Sequence, residues 1–131
     1  MTIVTPVYGG TSKAREAAIA ARVTDGIKTA AIIEGFAGIG VLTDGLAPST
    51  DLQLIHLAAG CLCCTGQLAM RVTLNRLLRN QPDQIYLSLA NSEHLTGVIN
   101  FLKEDQYHRR LKIGKAVDCS IPGTDIAFVP Y

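Results

Sequence analysis

Residues 52–79, LQLIHLAAGCLCCTGQLAMRVTLNRLLR, combine three patterns in one stretch of the chain. Residues 52–58 are mostly apolar and predict a strand. In residues 67–79 apolar side chains recur at helical spacing, which predicts an amphipathic helix. The turn between them, residues 60–66, holds three of the four cysteines of the chain. The stretch therefore predicts a strand–turn–helix unit that presents thiols at its turn.

The clustered thiols belong to Cys61, Cys63 and Cys64, and their spacing suits a soft metal ion. Thiolates are good ligands for zinc and for Cu(I). The glycines on both sides suit a tight turn that aims several side chains at one point. Three thiolates leave one position of a tetrahedral site open. His56, Cys119, water or another molecule could complete the ligand set.

His56 and Cys119 each also have a simpler interpretation. A histidine on a strand is more often a hydrogen-bonded core or surface residue than a ligand. A single cysteine in an apolar strand is usually a small buried hydrophobe. The clustered thiols could likewise serve redox or regulatory chemistry, or have no chemical role. The sequence leaves these alternatives open.

The composition predicts one well-packed globular domain, with 131 residues that are 48% hydrophobic and 18% charged. A net charge of +1, with no Trp and 5% aromatic residues, argues against a nucleic-acid-binding surface. We find no basic segment before an apolar stretch and no run of about 18 apolar residues, so we expect a cytoplasmic protein without a membrane partner. In that compartment clustered cysteines are more often ligands or redox groups than disulfides.

Apolar β-type runs alternate with helical stretches along the rest of the chain. Further strands are predicted at 2–8, 29–33, 84–90 and 112–119, with a short β-like piece at 125–129, and further helices at 12–23 and 92–103. Strands separated by helices imply βαβ units. We therefore predict an α/β fold with a mainly parallel five-stranded sheet, flanked by helices in three Rossmann-like layers. Ligands of such folds bind at the carboxyl ends of the strands, where the turn at 9–13, the loop at 34–48 and the cysteine turn are expected to meet.

Local signals refine the first and last helices. Ser12 is the predicted N-cap of the first helix, and Asn91 or Ser92 that of the last. Glu93 and His94, in the first turn of the last helix, are interpreted as a solvated helix start rather than an acid–base pair. The predicted sheet-facing side of the first helix is a row of small residues, Ala14, Ala17, Ala18 and Ala21.

The order of these features resembles that of the CobW-type metallochaperone GTPases, which are P-loop proteins. Both run from a strand through a Gly-rich turn with a lysine, a long Gly-rich loop and a second strand to GCxCC and a helix. The GCxCC signature of that family is matched by Gly60, Cys61, Cys63 and Cys64. Weaker matches reach from the strand at 29–33 to KAVD at 115–118. The resemblance implies one P-loop NTPase-like domain over residues 1–131, in which the three cysteines bind a metal ion.

The phosphate-binding loop of P-loop proteins reads GxxxxGK[ST]; its backbone N–H groups and lysine hold phosphates and its hydroxyl holds Mg²⁺. Placing Lys13 on the motif lysine puts Val7 and Ser12 at the two glycines. Ala14 then stands at the hydroxyl position and cannot coordinate Mg²⁺. Gly10 and Lys13 remain, and with Ser12 they are the possible phosphate-binding residues. The alternative is an inert strand-to-helix turn that binds an anion only incidentally.

Other nucleotide-handling motifs of the family are altered as well. Glu34 and Gly35 replace the Asn-Glu pair that follows the second family strand, and residues 88–91, SLAN, replace Glu-Thr-Ser-Gly without supplying an acid. We expect the chain to lack the guanine-specificity motif and the C-terminal domain of the family. Loss of one electrostatic contact to a transition state commonly costs roughly 3 kcal/mol. GTP hydrolysis and bound GTP or Mg²⁺ are therefore not expected.

These features lead to the hypothesis of a non-catalytic protein of metal homeostasis that binds a transition metal, with zinc as the first candidate. Its partners would be the metal ion and either a second copy of the chain or a metal-receiving protein. One alternative is a GTP- or nucleotide-binding metallochaperone subunit that needs a partner to supply the missing groups. A second is a structural or interaction module, because a shortened sheet exposes an edge that favours self-association.

Overall fold

The structure is a computed structural model that describes residues 2–24, 26–34, 52–57, 67–90, 93–104, 107 and 109–120. Strands and helices alternate along these residues, as the sequence predicts. The strands are β1 (Thr2–Tyr8), β2 (Thr29–Glu34), β3 (Leu52–Leu57), β4 (Gln84–Ser88), β5 (Leu111–Ile113) and β6 (Val117–Asp118). The helices are α1 (Ser12–Ala20), α2 (Gln67–Arg79) and α3 (His94–Leu102).

The described strands form a parallel sheet in the order β3-β2-β4-β1-β5, and β6 pairs with β1 beyond the end of β5. The predicted mainly parallel α/β fold is therefore confirmed. We call the edge where β1 to β4 end the carboxyl edge; it is formed by Tyr8, Glu34, Leu57 and Ser88. At this edge Glu34 is the register partner of Leu57, and Ile33 is that of Ser88. The ends of β3, β2 and β4 thus lie side by side.

Side chains of successive strand residues point to opposite faces of the sheet, and each face has its own apolar cluster. The face that packs on α2 and α3 is built from Val4, Ala30, Ile32, Met70, Leu74, Leu77, Ile85, Leu87, Val98, Phe101 and Leu102, among others. The face that packs on α1 is built from Val7, Ala18, Ile19, Ala31, Ile33, Tyr86 and Cys119. We refer to them as the α2–α3 face and the α1 face. The predicted three-layer arrangement is confirmed.

Among the described residues, no helix combines the length and the apolar character that crossing a membrane requires.

The last predicted strand, 112–119, differs from the observed one because it is divided into β5 and β6. The division falls at Gly114, whose N–H donates to Val4 O at 2.7 Å. A Cβ at Gly114 would lie 2.6 Å from Thr5 Oγ1, so the chain passes directly over β1 here. Glycine inside a strand often marks such a close approach. By contrast, α2 has the predicted bounds.

The two flanking helices correct three local predictions. Thr11, not Ser12, is the N-cap of α1, and its Oγ1 accepts from Ala14 N–H at 3.0 Å. The N-cap of α3 is Glu93, without a side-chain cap bond, rather than Asn91 or Ser92. Those two residues, the loop at 35–50 and the piece at 125–129 lie outside the described residues. The buried residues of α1 are Arg15, Glu16, Ala18 and Ile19, so the predicted all-alanine face was wrong, and Ala17 and Ala21 are exposed.

Candidate functional site at the carboxyl edge

The turn between β1 and α1 is tightly packed against the end of β6. Gly9 and Gly10 both have left-handed backbones, with φ of +80° and +64°. A Cβ on Gly9 would lie 2.7 Å from Asp118 Oδ1, and one on Gly10 would lie 2.5 Å from Cys119 O. Real Cβ atoms do not come this close, and positive φ favours glycine. The fold therefore requires glycine at both positions, whether or not the turn binds a ligand.

The inner side of this turn is held by Arg15, a buried cation with 4% relative exposure. Its Nε donates to Ser88 Oγ at 3.0 Å, and its Nη1 donates to Gly9 O at 3.2 Å and to Gly10 O at 2.9 Å. Burial lowers the pKa of the Arg15 guanidinium, and nearby Cys119, Glu34 and Glu16 partly offset that effect. Arg15 thus joins the β1–α1 turn to the end of β4.

A second buried charge, Glu34, lies at the end of β2 with no exposed side-chain surface. Its Oε1 accepts from Ala90 N–H at 2.8 Å and lies 3.1 Å from Nδ1 of His94, whose side chain is 16% exposed. A carboxylate oxygen is a hydrogen-bond acceptor, so the second contact is a hydrogen bond when Nδ1 carries the proton. The lone pair of His94 is then on Nε2. Within the described residues, the structure gives Nε2 no hydrogen bond.

The predicted phosphate-binding residues lie at the start of α1. Gly10, Ser12 and Lys13 are all exposed, and the N-terminus of a helix favours anions. Val7, at the first glycine of the motif, is instead a fully buried β1 residue opposite Ser88 and Val117. Phosphate binding at this turn stays a prediction.

The predicted metal ligands are only partly covered by the structure. Cys61, Cys63 and Cys64 lie outside the described residues, and of His56 only the backbone is described, opposite Ile33 in β3. Cys119 is a buried thiol on the α1 face, 8% exposed, whose N–H donates to Tyr8 O at 2.7 Å. Among the described residues, no three His, Cys, Asp or Glu side chains converge on a point that could hold a metal ion. The predicted ligand set stays a prediction.

Sequence reasoning missed both buried charges at this edge. His94 was expected in a solvated helix start. That expectation was wrong, because its ring contacts the buried carboxylate of Glu34. Glu93 is exposed, as expected. The pair is 60 residues apart in sequence, so no local pattern reveals it. Only the order of the strands in the sheet could have revealed the contact between Glu34 and His94. Polar residues that end or follow neighbouring parallel strands meet at the carboxyl edge, once β2 and β4 are known to be neighbours.

The parallel sheet, the turn into α1 and the polar carboxyl edge define a P-loop NTPase-like domain. Residues 6–118 match the family model described as CobW/HypB/UreG, nucleotide-binding domain. This match spans most of the chain, and the chain therefore belongs to the CobW/HypB/UreG family, which relates it to metallochaperone-like GTPases. No curated protein and no solved structure matches the chain.

Proposed function

We propose that this protein binds a transition metal, with zinc as the first candidate, through Cys61, Cys63 and Cys64. It acts in cytoplasmic metal homeostasis and does not hydrolyse GTP. The observation that carries the proposal is the end of β3. Leu57 ends this strand at the carboxyl edge, beside Glu34, and Cys61 follows four residues later. In the sequence, the three cysteines thus follow closely on a strand that ends at the edge where parallel α/β folds bind their ligands.

The chemistry of the donor set supports zinc. Three thiolates fit a tetrahedral ion and leave one position for a fourth ligand. Cu(I) also prefers thiolates, so the metal itself has to be measured. Family membership adds support, because the CobW/HypB/UreG relation is to metallochaperone-like GTPases.

The buried charge of Arg15 supports the non-catalytic part of the proposal. Its guanidinium lies 3.0 Å from Ser88 Oγ, at the position where the related GTPases carry an acid. A Mg²⁺ ion beside Ser88 would face a buried positive charge and be repelled at short range. Ala14 supplies no hydroxyl for the metal either. Both differences act against the Mg²⁺–nucleotide complex that phosphoryl transfer requires.

Elemental analysis tests the proposal directly. The protein is purified under reducing conditions, without chelator or a histidine tag, beside a variant with all three clustered cysteines changed to Ser. We expect close to one zinc or copper per chain or per dimer, lost in the triple variant. Cys119→Ala tests the fourth cysteine separately: because its thiol lies in the apolar cluster of the α1 face, we expect the metal content to be unchanged, and loss of metal would assign Cys119 to the ligand set. A wild-type protein that holds no metal and takes up no zinc at micromolar concentration contradicts the proposal.

A second candidate function is nucleotide binding with the help of a partner. It is favoured by the family model, whose description is a nucleotide-binding domain, and by the exposed Lys13 and Gly10 at the start of α1. Titration with GTP in the presence and absence of Mg²⁺ separates the candidates. Tight binding that depends on Mg²⁺ and is lost in Lys13→Ala favours this function. No binding at millimolar GTP removes it for the isolated chain.

A further inference from the structure

We propose that this protein binds a small phosphate ester with hydroxyl groups, the class of the sugar phosphates, in a cavity at the amino edge of the sheet. The amino edge is the one where β1, β4 and β5 begin, opposite the carboxyl edge. The cavity has a volume of about 510 Å³, and small-molecule sites usually measure roughly 300 to 1,000 Å³. None of its lining residues is a predicted metal ligand or belongs to the β1–α1 turn, so the inference is independent of the proposed function.

Three segments that are distant in sequence form this cavity. Residues 81–83 lead into β4, residues 109–110 lead into β5, and Thr2 begins β1, which lies between those strands. Thr2 Oγ1 donates to Pro82 O at 2.6 Å, and Thr2 is the register partner of Leu111, the first residue of β5. The pairing of β1 with both neighbours therefore holds the other two segments in place on either side of it.

The cavity presents two arginines that make no ion pair within the described part of the chain. Arg109 and Arg110 both line it, and both are exposed. Neither guanidinium forms a hydrogen bond or a salt bridge with a described residue. Burial raises the pKa of Tyr107, which is near Arg110, so this hydroxyl is neutral at pH 7 and does not offset the positive charge. Guanidinium groups bind phosphate through paired N–H donors, and two of them match a dianionic phosphate ester.

The other polar side chains of the cavity suit hydroxyl groups on the same ligand. Asp83 Oδ2 accepts from Lys28 N–H at 3.0 Å, and the structure gives Oδ1 no hydrogen bond with a described residue. Gln81 adds an exposed amide. A carboxylate accepts hydrogen bonds and an amide both donates and accepts them, so both can bind hydroxyls. Because Asp83 would repel a second anionic group, the cavity favours one phosphate joined to a neutral polar part.

The backbone of Gln81 also points to a ligand. Its φ is +50°, and it is the one non-glycine residue with a left-handed backbone in the described part of the chain. It follows the end of α2, where its N–H donates to Leu78 O at 3.1 Å, and glycine is the usual residue at such helix ends. Strained residues of this kind cluster at binding sites. A glutamine here is expected if its side chain serves the ligand rather than the fold.

The test is titration of the ¹⁵N-labelled protein, followed by NMR, which gives both the affinity and the place of binding. The probes are ribose 5-phosphate, glucose 6-phosphate and glycerol 3-phosphate, each beside its unphosphorylated parent and inorganic phosphate. We expect at least one ester to bind roughly 10-fold or more tightly than its parent or inorganic phosphate. The amide signals expected to shift are those of Thr2, Gln81, Asp83, Arg109 and Arg110.

Three variants test the side chains against the ester that binds most tightly. Arg109→Ala and Arg110→Ala should each weaken binding roughly 10-fold or more, because hydrogen bonds between charged groups are individually strong. Arg76→Ala is the matched control, since Arg76 is also an exposed arginine but does not line the cavity; it should change the affinity less than about 2-fold. Gln81→Gly should weaken binding and leave the urea midpoint unchanged or higher, because glycine relieves the left-handed strain.

Four results would overturn the inference. They are no binding of any ester at millimolar concentration, inorganic phosphate that binds as tightly as the esters, and signal shifts at Gly10 and Lys13 of the β1–α1 turn instead of the amino edge. The fourth is an equal loss of affinity in Arg76→Ala and Arg109→Ala, which would show only general attraction to a basic surface. A lower urea midpoint with unchanged affinity in Gln81→Gly would assign Gln81 to the fold and remove it from the site. The metal content that tests the proposed function is unaffected by any of these results.

Discussion

The two buried charges at the carboxyl edge differ in what their hydrogen bonds leave available. Arg15 donates to three oxygens, those of Gly9, Gly10 and Ser88, and holds a backbone turn in place. Glu34 Oε1 accepts from Ala90 N–H and lies 3.1 Å from Nδ1 of His94, whose side chain is partly exposed. The difference teaches that burial alone does not mark a site. The three bonds of Arg15 connect buried parts of the fold to one another, whereas one contact of Glu34 reaches a side chain that is 16% exposed.

The largest effect on stability is expected from Arg15→Ala. The change leaves a buried serine hydroxyl and two carbonyls without their charged donor, and hydrogen bonds to charged groups are individually strong, so the free energy of unfolding should fall by about 3 kcal/mol. Urea denaturation measures it. Arg22→Ala is the control, since Arg22, just beyond the end of α1, is half-buried and donates to Ala18 O at 2.8 Å; the change should lower the free energy of unfolding by less than about 1 kcal/mol. If both variants lose the same free energy of unfolding, the bonds of Arg15 are no more important to the fold than that of Arg22.

The next largest loss of stability is expected from Gly10→Ala, because the backbone of Cys119 passes close to this glycine. Gly10→Ala combines a left-handed backbone with a Cβ placed 2.5 Å from Cys119 O, and should lower the free energy of unfolding by about 2 kcal/mol or more. Gly26→Ala isolates the backbone strain, because φ is +87° and nothing lies within 4 Å of its Cβ position. It should cost about 1 kcal/mol. If both variants lower the free energy of unfolding equally, the contact with Cys119 does not constrain the turn.

Helix α3 supplies an internal check on these glycine variants. A Cβ at Gly97 meets nothing within 4 Å, and replacing a helical glycine by alanine where there is room usually stabilises by about 0.5 to 1 kcal/mol. Gly97→Ala should therefore raise the urea midpoint while Gly10→Ala lowers it. A loss of stability in Gly97→Ala would mean that the helix depends on contacts beyond the described residues.

A smaller effect is expected from His94→Gln in the metal-free protein. Among the described residues the ring contacts only Glu34 through a polar atom, at a partly exposed position, so its loss should lower the free energy of unfolding by less than about 1 kcal/mol. The comparison requires this contrast, since one contact to a partly exposed ring should contribute less to the fold than the three bonds of buried Arg15. A loss as large as that in Arg15→Ala would show that His94 maintains the fold, as Arg15 does.

The sequence predicts well what depends on local periodicity. The apolar spacing of residues 67–79 is that of α2, and the alternation of strands and helices implies the parallel sheet that the structure has. It fails where long-range partners decide burial. A row of alanines is a reasonable sheet-facing side for α1, yet Arg15 is buried because Ser88, 73 residues away, and the turn carbonyls accept its hydrogens. No scale of residue preferences contains that information.

The candidate site shows the same limit. The cysteine motif is visible in the sequence because its residues are close together in the chain. Glu34 and His94 come together only through the pairing of β2 with β4, and a carboxylate that ends a strand looks like any surface acid until its neighbours are known. The sequence thus shows the clustered thiols, whereas the contact between Glu34 and His94 is visible only once the strand order is known.

The smallest change in stability is expected at Asp118. Its side chain packs against the β1–α1 turn on the side opposite Arg15. Hydrogen bonds from Ser120 Oγ at 2.6 Å and Ser120 N–H at 2.9 Å keep the pKa of Asp118 below its ordinary value. A carboxyl group with a depressed pKa in the folded state contributes stability above its unfolded pKa of about 4 and loses it as the pH falls through the folded value. The stability advantage of the wild type over Asp118→Asn should therefore be present at neutral pH and shrink below about pH 4. Urea midpoints measured from pH 7 to pH 3 test this. Ser120→Ala should reduce the stability difference, since it removes the hydrogen bond from Ser120 Oγ.

A stability difference between wild type and Asp118→Asn that does not change with pH would show that the side chain of Asp118 acts through packing against Gly9 rather than through its charge.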